Sequence, residues 1–210
     1  WVISSGVVIE EGNCLKLLSG SEISIIHDGY LVVLGELLVK GDREQPVRIN
    51  ILNDGGILVV ADGVENHVEY LSVSGGAGKV ADGILRGATT FVGGKLSLRD
   101  SQFGNNLSED ALNLVQVEAG LERVKVEHTY SDGVDADFAN VSIRNSKFID
   151  IGANTGGDAI DVSGSSLKVV NTQIQEVADK AVSVGEASYA VLDKIKVNGA
   201  LVGVAAKDAS

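Results

Sequence analysis

Six aspartates in the C-terminal half lie at spacings that could do chemistry. Asp110 lies in SEDALNL, Asp132, Asp135 and Asp137 in SDGVDAD, and Asp158 and Asp161 in GGDAIDV. Three chemistries use such residues. Asp is a turn former that hydrogen-bonds nearby backbone N–H groups. Clustered carboxylates also supply the oxygen ligands of calcium, with Asp110, Asp135, Asp137 and Asp161 as the candidate donors. A pair of carboxylates, one acid and one base, hydrolyses glycosidic bonds, with Asp132 and Asp158 as the candidate catalytic pair. The sequence leaves all three open.

These residues need a scaffold, and a repeat supplies it. Segments opening at Leu96, Val124, Val141, Leu167 and Tyr189 each carry an alternating apolar strand, a polar turn and a second short strand. Asp110, Asp132, Asp158, Lys180 and Val202 fall in one column, at intervals of 22, 26, 22 and 22 residues. Asn113, Asp135, Asp161 and Ser183 form a second column three residues on. A repeat of that size built from period-2 strands predicts one coil of a β-solenoid. The expected fold is all-β, a single-stranded right-handed parallel β-helix of about eight to nine coils. It forms one domain over residues 1–210, with less regular N-terminal coils over 1–66 and regular coils over 67–210.

In such a stack, neighbouring strands lie about 4.8 Å apart. Carboxylates at roughly that distance repel by about 1 kcal/mol in water and by more where water is scarce. A cation, a shared proton, hydrogen bonds or Lys180 beside Asp158 would offset the repulsion. Asp100, His128, Asn145, Asn171 and Asp193 are read as a structural turn ladder at one corner. Gly75–Lys79 lacks the phosphate-loop pattern and is read as a wide corner.

Composition narrows the partners. The 29 acidic and 17 basic residues give a net charge of -12. Nucleic-acid binding needs Lys and Arg against phosphates, so that partner is excluded. No apolar window is long enough to span a membrane as a helix. Aromatic residues are only 4%, few for a groove lined with stacking rings. His27, His67 and His128 lack zinc-ligand spacing. Cys14, the one cysteine, closes no internal disulfide and is expected to be buried. With no methionine, the chain is expected to be a processed product or part of a longer one.

SDGVDAD followed by GGDAIDVSGS resembles the paired motifs of the polygalacturonase family of β-helix enzymes. There an Asn-Thr-Asp-Gly-Ile-Asp stretch precedes, by one coil, Gly-Asp-Asp-Cys-Ile-Ala. The resemblance implies the pectate-lyase-like fold and places two of that family's catalytic carboxylates at Asp132 and Asp158. The third falls at Gly157. The family's Gly-His-Gly falls at Ala178–Ala181, without histidine, and its Arg-Ile-Lys clamp near Val204–Ala206, where nothing is basic. A calcium-dependent lyase would need a base, for which Arg123 or Arg144 is the candidate. The run DGVDADF, GGDAIDVSGS, DKAVSVGEAS and GVAAKDAS also resembles β-helix segments of bacterial surface and secreted proteins, some with kinase-like domains of the spore-coat H type. That resemblance implies an extracellular or cell-surface module of bacterial origin. The expectation that follows is a non-catalytic module, a rigid spacer or a surface for polysaccharide or protein. The alternative is a carbohydrate-active hydrolase or lyase.

Overall fold

A computed structural model describes residues 1–153, 155–208 and 210. Parallel strands stack as a β-solenoid of about nine turns, without a helix among the described residues. Each coil contributes one strand to each of three faces.

The first face stacks Val2–Ile3, Glu22–Ile25, Val47–Ile51, Leu71–Gly75, Gln102–Gly104, Lys125–Thr129 and Lys147–Ile151. The second stacks Gly6–Ile9, Tyr30–Val33, Ile57–Val60, Gly87–Val92, Asp110–Val115, Asp132–Asp137 and Ile160–Ser163. The third stacks Cys14–Leu18, Glu36–Lys40, Glu65–Glu69, Lys95–Arg99, Glu118–Glu122, Asn140–Arg144, Ser166–Val170 and Tyr189–Asp193. Near the C-terminus the first and second faces merge. Gln173–Gly185 and Lys196–Ala206 each run through both, with a register shift between Val177 and Lys180.

Alternation makes the core. On the third face Leu98, Leu121, Ile143 and Val169 are in register on successive coils, and each is at most 1% exposed. Burying one such side chain stabilises by roughly 1.5–3 kcal/mol. Phe91, Phe103 and Phe148 are the largest fully buried side chains.

Corners set the register. Where the third face turns into the first, Asp100, Arg123, Asn145, Asn171 and Lys194 all have φ between 49° and 55°. Asn and Asp tolerate this left-handed region better than most side chains. Their backbone N–H groups bond to the next coil: Asp100 to Glu122, Arg123 to Arg144, Asn145 to Val170 and Asn171 to Asp193. The side chains continue the chain of bonds. Asn171 donates to Asn145 Oδ1 at 2.6 Å, Asn145 donates to Glu122 Oε1 at 2.7 Å, and Arg123 clasps Asp100 through two N–H groups at 2.6 and 2.8 Å.

Two members of the expected ladder lie elsewhere. Asp193 pairs with Val170, one position too early, and Lys194 takes the corner conformation. His128 stands at the other end of the first face, where it meets Asp150 at 2.7 Å. Both corners follow a strand with a polar left-handed residue, so the sequence pattern does not separate them.

A second set of corner bonds lies inside. The hydroxyls of Ser101, Ser146, Ser165 and Ser188 accept the N–H groups of Leu71, Val124, Ala139 and Ser165, one coil earlier. These serines are at most 6% exposed. Cys14 is exposed rather than buried. Leu15 and Leu17 take the inward positions of its strand, which leaves Cys14 on the outer side. Gly75–Lys79 does form a wide corner, leading into a small antiparallel pair, Lys79–Val80 with Gly83–Ile84. Gly75 has φ 91°, and a Cβ there would lie 2.1 Å from the Ile51 carbonyl oxygen.

Candidate functional site

The register places the acidic residues in stacked columns on the second face. Asp110 pairs with Asp132, and Lys180 with Val202. Asn113, Asp135, Asp161 and Ser183 pair in sequence across four coils. Asp137 pairs with Ser163 at the far end of the same strands.

Asp132 and Asp158 are neighbours, and each carboxylate is engaged by backbone. Asp132 Oδ1 accepts the N–H of Asp158 at 2.7 Å. Asp158 Oδ1 accepts the N–H of Lys180 at 2.8 Å. Each aspartate thus bonds to the residue occupying its own column one coil further on. Lys180 Nζ completes the stack, 3.3 Å from Asp158 Oδ1 and in contact with Asp179. Asp158 is 6% exposed.

Asp110 differs from its neighbours. It is fully buried, and neither carboxylate oxygen has a hydrogen-bond partner. The N–H that its column would offer, that of Asp132, bonds instead to the Glu109 carbonyl at 2.7 Å. Burial, followed by the nearby charges of Asp135, Asp132 and Glu109, pushes the Asp110 carboxyl up to about 9. Asp110 is therefore a neutral acid at pH 7. Asp135, 5% exposed, is pushed up to about 7, chiefly by burial and then by Asp137 and Asp161. Asp132 is pushed up to about 6 by burial, partly offset by its bond from Asp158. Asp137 and Asp158 are also raised, again mainly by burial.

Asn113 donates to Asp135 Oδ2 at 3.3 Å, while one oxygen of Asp161 is buried without a partner. Arg86, at the end of the wide corner, faces this set. It lies 3.4 Å from Glu109, and its charge favours the ionised forms of Asp135 and Asp110. The sequence reading missed Arg86, because a corner insertion of irregular length carries no repeat register.

Among the described residues no three His, Cys, Asp or Glu side chains converge as a metal-holding group. Asp132 and Asp158 each give one carboxylate oxygen to a backbone N–H group, and Asp110 is fully buried without a hydrogen-bond partner. Arg123 and Arg144 are not placed to serve as a base for the acidic columns. Arg144 ends a strand of the third face and Arg123 follows one, bound to Asp100 and Glu122.

Gly157, where the polygalacturonase motif has aspartate, is held by packing. A Cβ there would lie 2.3 Å from the Ser131 carbonyl carbon and 2.4 Å from its oxygen. These are backbone atoms of the preceding coil and have no rotamer by which to move aside.

No protein-family model matches the chain, and no curated protein matches it in sequence. Two solved structures are similar at the level of the chain path. An alginate lyase from Paenibacillus sp. str. FPU-7 is 11% identical, with a TM-score of 0.37, over 84% of this chain and 69% of its own. A GH136 lacto-N-biosidase from Eubacterium ramulus is 8% identical, with a TM-score of 0.26, over 92% of this chain and 62% of its own.

Proposed function

We propose that this chain is a non-catalytic β-solenoid module of an extracellular or cell-surface protein, a rigid rod that presents a surface to polysaccharide or protein. One observation carries the reading. The two carboxylates best placed for hydrolysis, Asp132 and Asp158, accept backbone N–H groups of the following coils. A general acid or nucleophile must reach the scissile bond, whereas one oxygen of each carboxylate is committed to the N–H of the next coil. Asp110, the most strongly perturbed acid, is fully buried and out of reach of a polymer.

Perturbed carboxyls often mark catalytic sites, but buried structural groups shift in the same way. A fold hosts many functions or none, so the reading is supported by the geometry of these carboxylates and not by the architecture.

The test is prolonged incubation with a panel of neutral and acidic polysaccharides. Reducing ends report hydrolysis, and ultraviolet absorbance reports the unsaturated ends that a lyase leaves. The expected result is no release by either measure. Release that Asp132→Asn or Asp158→Asn abolishes, with the fold intact by circular dichroism, would overturn the proposal in favour of a carbohydrate-active enzyme.

A further inference from the structure

The outer side of the third face carries a trough that the fold itself does not require. Ser97, Gly120 and Ser142 stand in register on three consecutive coils. They face outward, because Leu96, Leu98, Ala119, Leu121, Val141 and Ile143 on either side of them are buried. Gly120 is in the middle of its strand and has no positive φ. A Cβ there would meet only the Leu96 carbonyl oxygen, at 4.0 Å. Neither backbone conformation nor packing explains the glycine. Glycine weakens a strand, and in a strand interior it often marks a place where a ligand comes close to the backbone.

The wall of the trough points to the ligand. Glu69, Arg99, Glu122 and Arg144 are in register along one side. Glu122 is already held by Arg123 and by Asn145. Among the described residues neither Arg99 nor Arg144 has an ion-pair partner, in a protein of net charge -12. The Ser142 hydroxyl oxygen on the floor is shielded from solvent and has no hydrogen-bond partner. Two arginines two coils apart have their backbones separated along the axis by about 10 Å, twice the strand spacing. Such a pair suits charges that recur along a linear polymer, and guanidinium binds carboxylate and sulfate-like groups through paired N–H donors.

We propose that this trough binds an anionic polysaccharide, with its acidic groups on Arg99 and Arg144 and a sugar edge over Gly120. The inference rests on the reading of the chain as a binding module. A protein partner fits less well, since a floor of Ser, Gly and Ser offers none of the apolar anchors that dominate protein interfaces.

Electrophoresis in native gels cast with polymer tests this directly. A polyuronate, dextran sulfate and neutral dextran are the three polymers, and polyglutamate is the soluble competitor. Retardation by one or both acidic polysaccharides but not by dextran is expected, weakening as salt is added. The two acidic arms separate carboxylate from sulfate recognition. Arg99→Gln with Arg144→Gln should lower affinity about tenfold or more, as expected when charge-assisted hydrogen bonds are lost, and Gly120→Val should separately lower it to a similar extent by filling the space above the strand. Gly120→Val should melt no lower than the wild type, because valine suits a strand better than glycine. Retention of both variants at wild-type strength, or no retardation by either acidic polymer, would overturn the proposal. Competition by polyglutamate as strong as by polysaccharide would replace it with an acidic protein partner. Fragment release from any polymer is a separate outcome, since it overturns the non-catalytic reading and leaves the trough to be judged by retention.

Discussion

The carboxylate of Asp132 lies 2.7 Å from the backbone nitrogen of Asp158, so the side chain of one coil serves the main chain of the next. Asp158 repeats the arrangement toward Lys180. Two residues that could be an acid and a base in sequence are, in space, successive rungs at one corner.

Removing such a rung should cost stability. Asp132→Ala leaves the N–H of Asp158 without its acceptor, a penalty of about 1–3 kcal/mol. Chemical denaturation should show an earlier midpoint with an unchanged slope. An unchanged midpoint would mean that water replaces the carboxylate and that the rung contributes nothing.

The protein should become more stable as pH falls from alkaline toward mildly acidic values. A carboxyl whose folded pKa is raised stays protonated in the folded chain while the unfolded chain ionises. Stability is therefore fully present below the ordinary value of 3.8 and declines as pH rises toward the folded value: about 9 for Asp110, about 7 for Asp135 and about 6 for Asp132. The decline is up to about 1.4 kcal/mol per pH unit for each group within its window. Asp110→Asn, which keeps a neutral group there, should stabilise the protein at pH 8 and flatten the profile. Melting temperatures from about pH 4.5 to about pH 8.5 give the answer, and a profile that rises with pH would refute the assignment.

Restoring the polygalacturonase-like aspartate should fail. Gly157→Asp drives a Cβ into the Ser131 backbone at 2.3 Å and should destabilise by about 1–3 kcal/mol or more. No hydrolysis should appear. Thermal unfolding and the polysaccharide panel check the two halves, and a stable variant would show that the coil can shift to accept the side chain.

The corner conformation gives two opposite substitutions. Lys194 holds φ 54° without the local bonding open to Asn or Asp, so Lys194→Gly should stabilise by about 1 kcal/mol. Asn145→Ala keeps the strained backbone and loses bonds to Asn171 and Glu122, so it should destabilise by about 1–2 kcal/mol. Paired melts of the two variants would reveal whether backbone strain governs this corner.

Much of this architecture is legible in the sequence because parallel strands stack in register. A coil converts to a fixed residue interval, so Asp110, Asp132 and Lys180–Val202 align in the chain as they do in space. What a side chain does within its column is less visible. Asp110, Asp132 and Asp158 look alike in sequence, yet one is a buried acid without partners and two are backbone acceptors. The difference lies in where one N–H of the neighbouring coil goes. His128 reads like a member of the Asn145 corner because both corners of the first face use polar left-handed residues, and Asp193 reads one position early because a lysine, Lys194, holds the left-handed place. Arg86 could not be placed at all, since it follows an insertion outside the repeat. Gly120 reads in sequence only as a weak spot in a strand. Its interest comes from the space above it.

The corner between the first and second faces varies most from coil to coil. It is a wide glycine-rich excursion after Gly75, a short link after Thr129, and absent where Gln173–Gly185 runs straight through. The strands on either side keep their pairing regardless. Length at this edge is thus decoupled from the pitch of the stack. Foreign loops grafted there on successive coils would be displayed in a row, like teeth on a comb, with the spacing of the teeth set by the backbone rather than by the loops.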